Sequence, residues 1–221
     1  MIKEVCPIKE FCMNTDNIND IILTRALSLT LLLIIGQFAL SYAVPHFDAK
    51  GLSDQHFKDA GVPTTFLLTS FYYENFIHFG LGPKKDGNGD FKLTLPLKED
   101  TKLPVISTKD IGVCAAAIFK DPSMIGKTVG ISGDMVTGPE MAQAIADARG
   151  VPVAYQAVSA ETFRSFGFPG AHDLANMFQF KEECNEGFCG RRSLEFSKTL
   201  SPNLIDMKTW CSEHAKEIPM D

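Results

Sequence analysis

Nowhere in this 221-residue sequence does a strand-like run lead into G-x-G-x-x-G or G-x-x-G-x-x-G, so the chain has no dinucleotide phosphate cradle of its own. Positive charge is also sparse. No basic run is longer than Lys84-Lys85 or Arg191-Arg192, and 21 Lys and Arg against 27 Asp and Glu leave a net charge of −6, which argues against direct contact with nucleic acid. Metal-ligand spacing is missing too. Cys6, Cys12, Cys114, Cys184, Cys189 and Cys211 are scattered, and their even number does not fix a redox compartment. The nearest pair, Cys184 and Cys189, has no second pair and no neighbouring His cluster, so these read as reduced thiols.

Two apparent motifs fail on spacing. Gly126-Lys127-Thr128 resembles the end of a phosphate loop, but Asp121 stands where the first glycine is needed, and the triplet enters a strand. Asp86-Gly87-Asn88-Gly89-Asp90 resembles a calcium loop, but Phe91 and Leu97 occupy the positions of its glycine and its bidentate glutamate. It reads as a hairpin turn. There is no internal repeat and no low-complexity tract.

What is present is a real core, with 45% apolar and 22% charged residues in a length suited to one domain or slightly more. One segment differs from the rest. From Ala26 to Pro45 there are 20 consecutive residues without a charge, enough at about 1.5 Å each to cross a hydrocarbon layer of about 30 Å. The segment 21–44 is therefore expected as an apolar helix, behind a polar segment 1–20 and ahead of a domain at 45–221. Ser41 and Ala43 suit a signal-peptidase site, whereas Glu4, Glu10, Asp16 and Asp20 outnumber Lys3, Lys9 and Arg25 in the region before it. Three readings stay open: a secretory signal or single-span anchor, a buried helix, or a start from an alternative or mispredicted first exon.

After Pro45, strand-like and helix-like segments alternate. Ser53 can cap a short helix ending at Gly61, and PTTFLL from Pro63 reads as a strand followed by a helix over Phe71 to Phe79. FKLTLPL from Phe91 has the period of a strand, and Ser107 leads into a helix over Lys109 to Phe119. Lys127 to Ser132 is a strand; Thr137 caps a helix with Pro139 in its first turn and Gly150 after its end. Val151 to Val158 is a strand, Ser159 caps a short helix, Gly170 to Glu182 is helical, and Asp206 caps a last helix. The alternation predicts an α/β fold. His46 and Lys50 lie one turn apart if a helix begins near Val44, and alone they would form a solvated face.

HFDAKG at 46–51, GVPTTFLLTSFYYENF at 61–76, STKDIG at 107–112 and FGFPGAHDLANMFQF at 166–180 together resemble the NmrA-like family of atypical short-chain dehydrogenases. The match runs from Val44 to the C-terminus. It implies an incomplete Rossmann-like parallel sheet with a small C-terminal α/β subdomain, lacking on the order of a hundred residues of the glycine-rich half. It also implies NADP(H) as cofactor, a redox-sensor role in transcriptional regulation, protein partners, and a cytoplasmic or nuclear location. An anchor or signal at 21–44 would instead give a membrane-associated or secretory protein.

The resemblance sets His46 and Lys50 on the Tyr-x-x-x-Lys pair of short-chain dehydrogenases. Lys50 would hold the nicotinamide ribose, while His46 replaces the phenol that exchanges a proton with substrate. That replacement implies sensing rather than turnover and no assigned catalytic residue, although a histidine can act as a general acid. Tyr72, Tyr73, Glu74 and Asn75 would meet the nicotinamide end, and the block over Phe168 to Phe180 would close over it. Without the glycine-rich loop, cofactor binding by this chain is expected to be impaired. A membrane-anchored protein-interaction module and an NADPH-dependent reductase are the alternatives. Loss of the first strands would expose the edge of a central strand, predicting a poorly soluble or oligomeric product unless a second copy or residues 21–44 cover it.

Overall fold

The structure, a computed structural model, describes residues 26–28 and 41–220. Strand β1 (Ala26–Ser28) precedes α1 (Pro45–Asp59), whose first turn holds Pro45, where the missing N–H costs nothing. Strand β2 (Thr64–Leu68) is buried at all positions, as a strand covered on both faces should be. β1 runs parallel to it, with Ala26 opposite Thr64.

The chain then forms β3 (Phe71–Tyr72), the single-turn α2 (Asn75–His78), and a hairpin of β4 (Lys84–Lys85) and β5 (Phe91–Leu95). Asp86 closes the hairpin turn, accepting from the Asn88 and Asp90 amides at 2.8 and 3.1 Å. The expected alternation of β5 is real: Leu93 and Leu95 are buried. Strand β6 (Leu103–Ile106) leads into α3 (Thr108–Lys120), capped by Ser107, which accepts from the Asp110 amide at 3.0 Å. Ile111, Cys114 and Ile118 form the buried stripe of α3, and each isoleucine contributes roughly 2 kcal/mol of hydrophobic stabilisation.

Next come β7 (Thr128–Gly130), β8 (Asp134–Val136), α4 (Gly138–Arg149) and β9 (Val153–Ala157). Thr137 and Glu140 form a capping box on α4, and Gly150 ends it in the left-handed region. Helices α5 (Ala160–Ser165), α6 (Ala171–Glu183), α7 (Asn185–Gly190), α8 (Leu194–Leu200) and α9 (Met207–His214) complete the chain.

Among the described residues the strands form three small sheets in the orders β1-β2-β7, β3-β6-β8 and β4-β5-β9. The first is wholly parallel, and the other two each contain one antiparallel pair. The larger core gathers Phe47, Phe71, Tyr73, Phe76, Phe178 and Trp210; a smaller one of Leu67, Ile106, Ile111, Cys114, Ile118 and Ile131 lies beneath α3.

Three expectations need correction. The helix expected over Phe71 to Phe79 begins as a strand, because Phe71 and Tyr72 pair with Val105 and Ile106, and the Tyr73 amide donates to the Ile106 carbonyl at 3.0 Å. Sheet pairing overrides local apolar density there. The short helix expected after Ser53 is the second half of α1, and Ser53 Oγ donates to the Ala49 carbonyl at 2.9 Å instead of capping. The helix expected over 21–44 is not helical at its described positions: Ala26–Ser28 is a strand, and residues 41–44 lead irregularly into α1. β1 pairs with β2 along that side. The rest of 21–44 and the polar segment 1–20 lie outside the described residues. Among the described residues no helix is long and apolar enough to cross a membrane.

Candidate functional site

The link between β2 and β3, the first turns of α1 and one face of α6 enclose a cavity of about 170 Å³. It opens beyond the carboxyl end of β2, where ligands of open α/β sheets bind. Its polar lining is His46, Lys50, Ser70, Tyr72, Asn75 and Lys181. Phe71, Phe79, Leu174 and Met177 provide much of the apolar wall.

α1 places His46 and Lys50 together on this wall, as their one-turn spacing requires. His46 Nδ1 lies 2.7 Å from the Asp173 carboxylate at the start of α6. A carboxylate on Nδ1 favours a proton there and leaves Nε2 as the exchangeable nitrogen. The second Asp173 oxygen, Oδ1, is buried without a hydrogen-bond partner among the described residues. Lys50 is half-buried, and desolvation lowers its pKa.

Of the four consecutive residues expected to meet a ligand, two line the cavity. Tyr72 does so with its hydroxyl 3.1 Å from Thr69 Oγ1, and Asn75 does so from the first turn of α2. Tyr73 points the other way into the core, its ring 5.3 Å from that of Trp210 and its hydroxyl donating to the Ile205 carbonyl at 3.4 Å. Glu74 accepts from the Thr108 amide with both oxygens at 3.0 Å, which makes it an anchor for the start of α3. Tyr73 thus packs in the core and Glu74 caps the start of α3, and neither lines the cavity. The turn between β3 and α2 carries Tyr73 and Glu74 away from the cavity and brings Asn75 back to it.

Sequence reasoning missed Lys181. This residue of α6 is 3% exposed, and its ammonium stands 5.2 to 5.6 Å from the ring centres of Phe71, Phe178 and Phe188. Its hydrogen-bond partner is the sulfur of Met177 at 3.3 Å, and no carboxylate pairs with it among the described residues. Burial, with a smaller effect from Arg192, pulls its pKa down to about 7. The signal was available: Leu174, Met177 and Lys181 share the i, i+3, i+7 face of one helix, so the lysine sits on an apolar stripe.

The NmrA-like family model matches residues 37–210. The chain belongs to the NmrA-like family. Among solved structures, NmrA, a negative transcriptional regulator in complex with NAD, is 18% identical with a TM-score of 0.69. The alignment covers 86% of this NmrA-like chain and 64% of that one. Citrobacter sp. triphenylmethane reductase complexed with NADP(H) is 17% identical with a TM-score of 0.63, over 87% of this chain and 65% of that one. Isoflavone reductase is 15% identical with a TM-score of 0.61, over 86% and 65%. The chain therefore spans somewhat under two thirds of these structures, and at such identities the likeness establishes the Rossmann-like α/β fold.

Proposed function

We propose that this NmrA-like chain is a NAD(P)(H)-binding redox-sensing regulatory protein whose cavity receives the nicotinamide end of the cofactor. The observation that carries the reading is Lys50, a half-buried ammonium in the cavity beyond β2, with no carboxylate paired to it among the described residues. It is free to donate to ribose hydroxyls, and Tyr72 and Asn75 stand beside it as further donors and acceptors. NmrA and triphenylmethane reductase, which share the fold, were crystallised with NAD and NADP(H) respectively.

The nicotinamide end therefore finds fitting residues, but the pyrophosphate end finds no glycine-rich turn in this sequence. Affinity should be weak, with a dissociation constant no tighter than about 100 µM, equivalent to roughly −5.5 kcal/mol. Isothermal titration with NADPH tests this. Micromolar affinity would contradict it, and binding unaffected by Lys50→Ala would remove Lys50 from the site. The regulatory role implies protein partners, and β1, an edge strand among the described residues, offers a surface for a homo-oligomer that light scattering tests.

One observation favours a second reading, an NADPH-dependent reductase. A bound nicotinamide would supply hydride, and the His46–Asp173 pair at 2.7 Å is a proton donor of the kind a carbonyl reduction needs. Asp173 would orient the imidazole through Nδ1 while Nε2 gives up the proton. Single-turnover NADPH oxidation with carbonyl compounds decides between the readings: consumption that Asp173→Asn abolishes would establish turnover.

A further inference from the structure

Lys181 has no task in cofactor binding or in the proton donor just described, yet it occupies the wall of the same cavity. A buried ammonium surrounded by three phenylalanine rings and a thioether is poorly solvated, and evolution of an apolar wall would more simply place Leu or Met there. Around it the charged lining is of one sign. Among the described residues Lys50 is the other cation, His46 is engaged by Asp173, and no Asp or Glu lines the cavity. We propose that the cavity binds a small aromatic carboxylate, its ring against Phe71, Phe79 and Met177 and its carboxylate between Lys181 and Lys50.

The size agrees, since cavities of about 150 Å³ accept a benzene-sized ligand, and this one holds about 170 Å³. So does the chemistry. An anion buried beside Lys181 supplies the countercharge that the protein withholds, and a charge-assisted hydrogen bond replaces the weak one to sulfur. The other titratable groups near it do not supply it: His46, Lys50 and Tyr72 share the cavity lining, and Arg192, over the Phe188 ring, is itself a cation. Because burial holds Lys181 near 7, carboxylate binding above neutrality must draw a proton onto its amine. Affinity should therefore fall as pH rises.

This inference rests on the same cavity as the reading above but needs no dinucleotide, with which a ring-sized ligand in about 170 Å³ would compete, so the two can fail separately. Benzoate is titrated into the full chain without cofactor, with benzamide as the uncharged isostere. At about pH 6, where the amine is charged, we expect saturable benzoate binding that Lys181→Met weakens at least about tenfold. Benzamide should bind without dependence on Lys181. The ε-carbon resonance of Lys181 in the unmodified chain gives a second measurement that no folding defect can confuse. Its titration midpoint should rise by about a unit or more with benzoate. Absence of saturable benzoate binding, equal affinity in Lys181→Met, Lys181-dependent binding of benzamide, or an unmoved midpoint would each overturn the assignment.

Discussion

Two buried cations, Lys181 on α6 and Arg192 after α7, show how differently one interior can treat a charge. Each is 3% exposed. Arg192 Nε donates to the Thr69 carbonyl at 2.7 Å and Nη1 donates to the Phe188 carbonyl at 2.8 Å, while its guanidinium centre lies 3.6 Å from the centroid of the Phe188 ring. It fastens the α7–α8 turn to the link between β2 and β3. Lys181 has ring faces, a thioether and an opening. A buried charge with its donors satisfied is scaffold; one left under-satisfied beside a cavity is poised for a ligand. Burial lowers both, Arg192 to about 9 and Lys181 to about 7, so titration direction alone does not separate them, whereas hydrogen bonding does.

The largest expected effect tests the Arg192 side. Arg192→Met should destabilise by about 3 kcal/mol or more, because it strands the Thr69 and Phe188 carbonyls in the interior. Urea unfolding measures it, and a loss below about 1 kcal/mol would show that the pin is dispensable. On the other side, Lys181→Met should stabilise by about 1 to 3 kcal/mol near pH 6. Between about 7 and its ordinary value of 10.5, the unfolded chain holds a proton on Lys181 that the folded chain does not, so the wild type gains stability as pH rises. The advantage of Lys181→Met should shrink over that window and vanish above it. A pH-independent advantage would mean that packing, not charge, is being read.

Asp173→Asn probes the cavity mouth between these extremes. The His46–Asp173 pair is about a third exposed on each side, so its loss should cost under about 1 kcal/mol of stability. Its larger effect should fall on any NADPH oxidation, because the amide oxygen can still accept from Nδ1 but the carboxylate's negative charge beside the imidazole is lost. Stopped-flow absorbance follows the latter and urea unfolding the former.

How far the sequence foretold this arrangement depended on whether the signal was local. Thr137, Pro139 and Gly150 bounded α4 correctly because caps act within one turn. His46 and Lys50 came together because helix spacing alone brings them together. Helices α7 and α8 were not foreseen, since they are short and held by tertiary contacts such as Ser197 Oγ accepting from the Ser132 amide at 2.9 Å. Sequence presents Tyr72 to Asn75 as one contact surface, whereas the turn after β3 turns Tyr73 into the core and Glu74 to the start of α3. The His46–Asp173 contact spans two distant helices, and neither spacing nor composition encodes it.

The smallest expected effects compare neighbours across β3 and so test that split most sharply. Tyr73→Phe removes a long, 3.4 Å hydrogen bond to the Ile205 carbonyl while keeping the ring against Trp210. It should cost about 0.5 to 1 kcal/mol of stability and leave ligand binding in the cavity unchanged. Tyr72→Phe removes the hydroxyl of a cavity-lining residue, 3.1 Å from Thr69 Oγ1. Solvent and ligand can replace that partner, so its stability loss should be smaller and its effect on NADPH or benzoate binding larger. Paired unfolding and binding titrations on the two variants read both quantities. If Tyr73→Phe weakens binding as much as Tyr72→Phe, then residues 72 to 75 act as one surface, and the division between cavity-lining and core-packed residues does not govern the site.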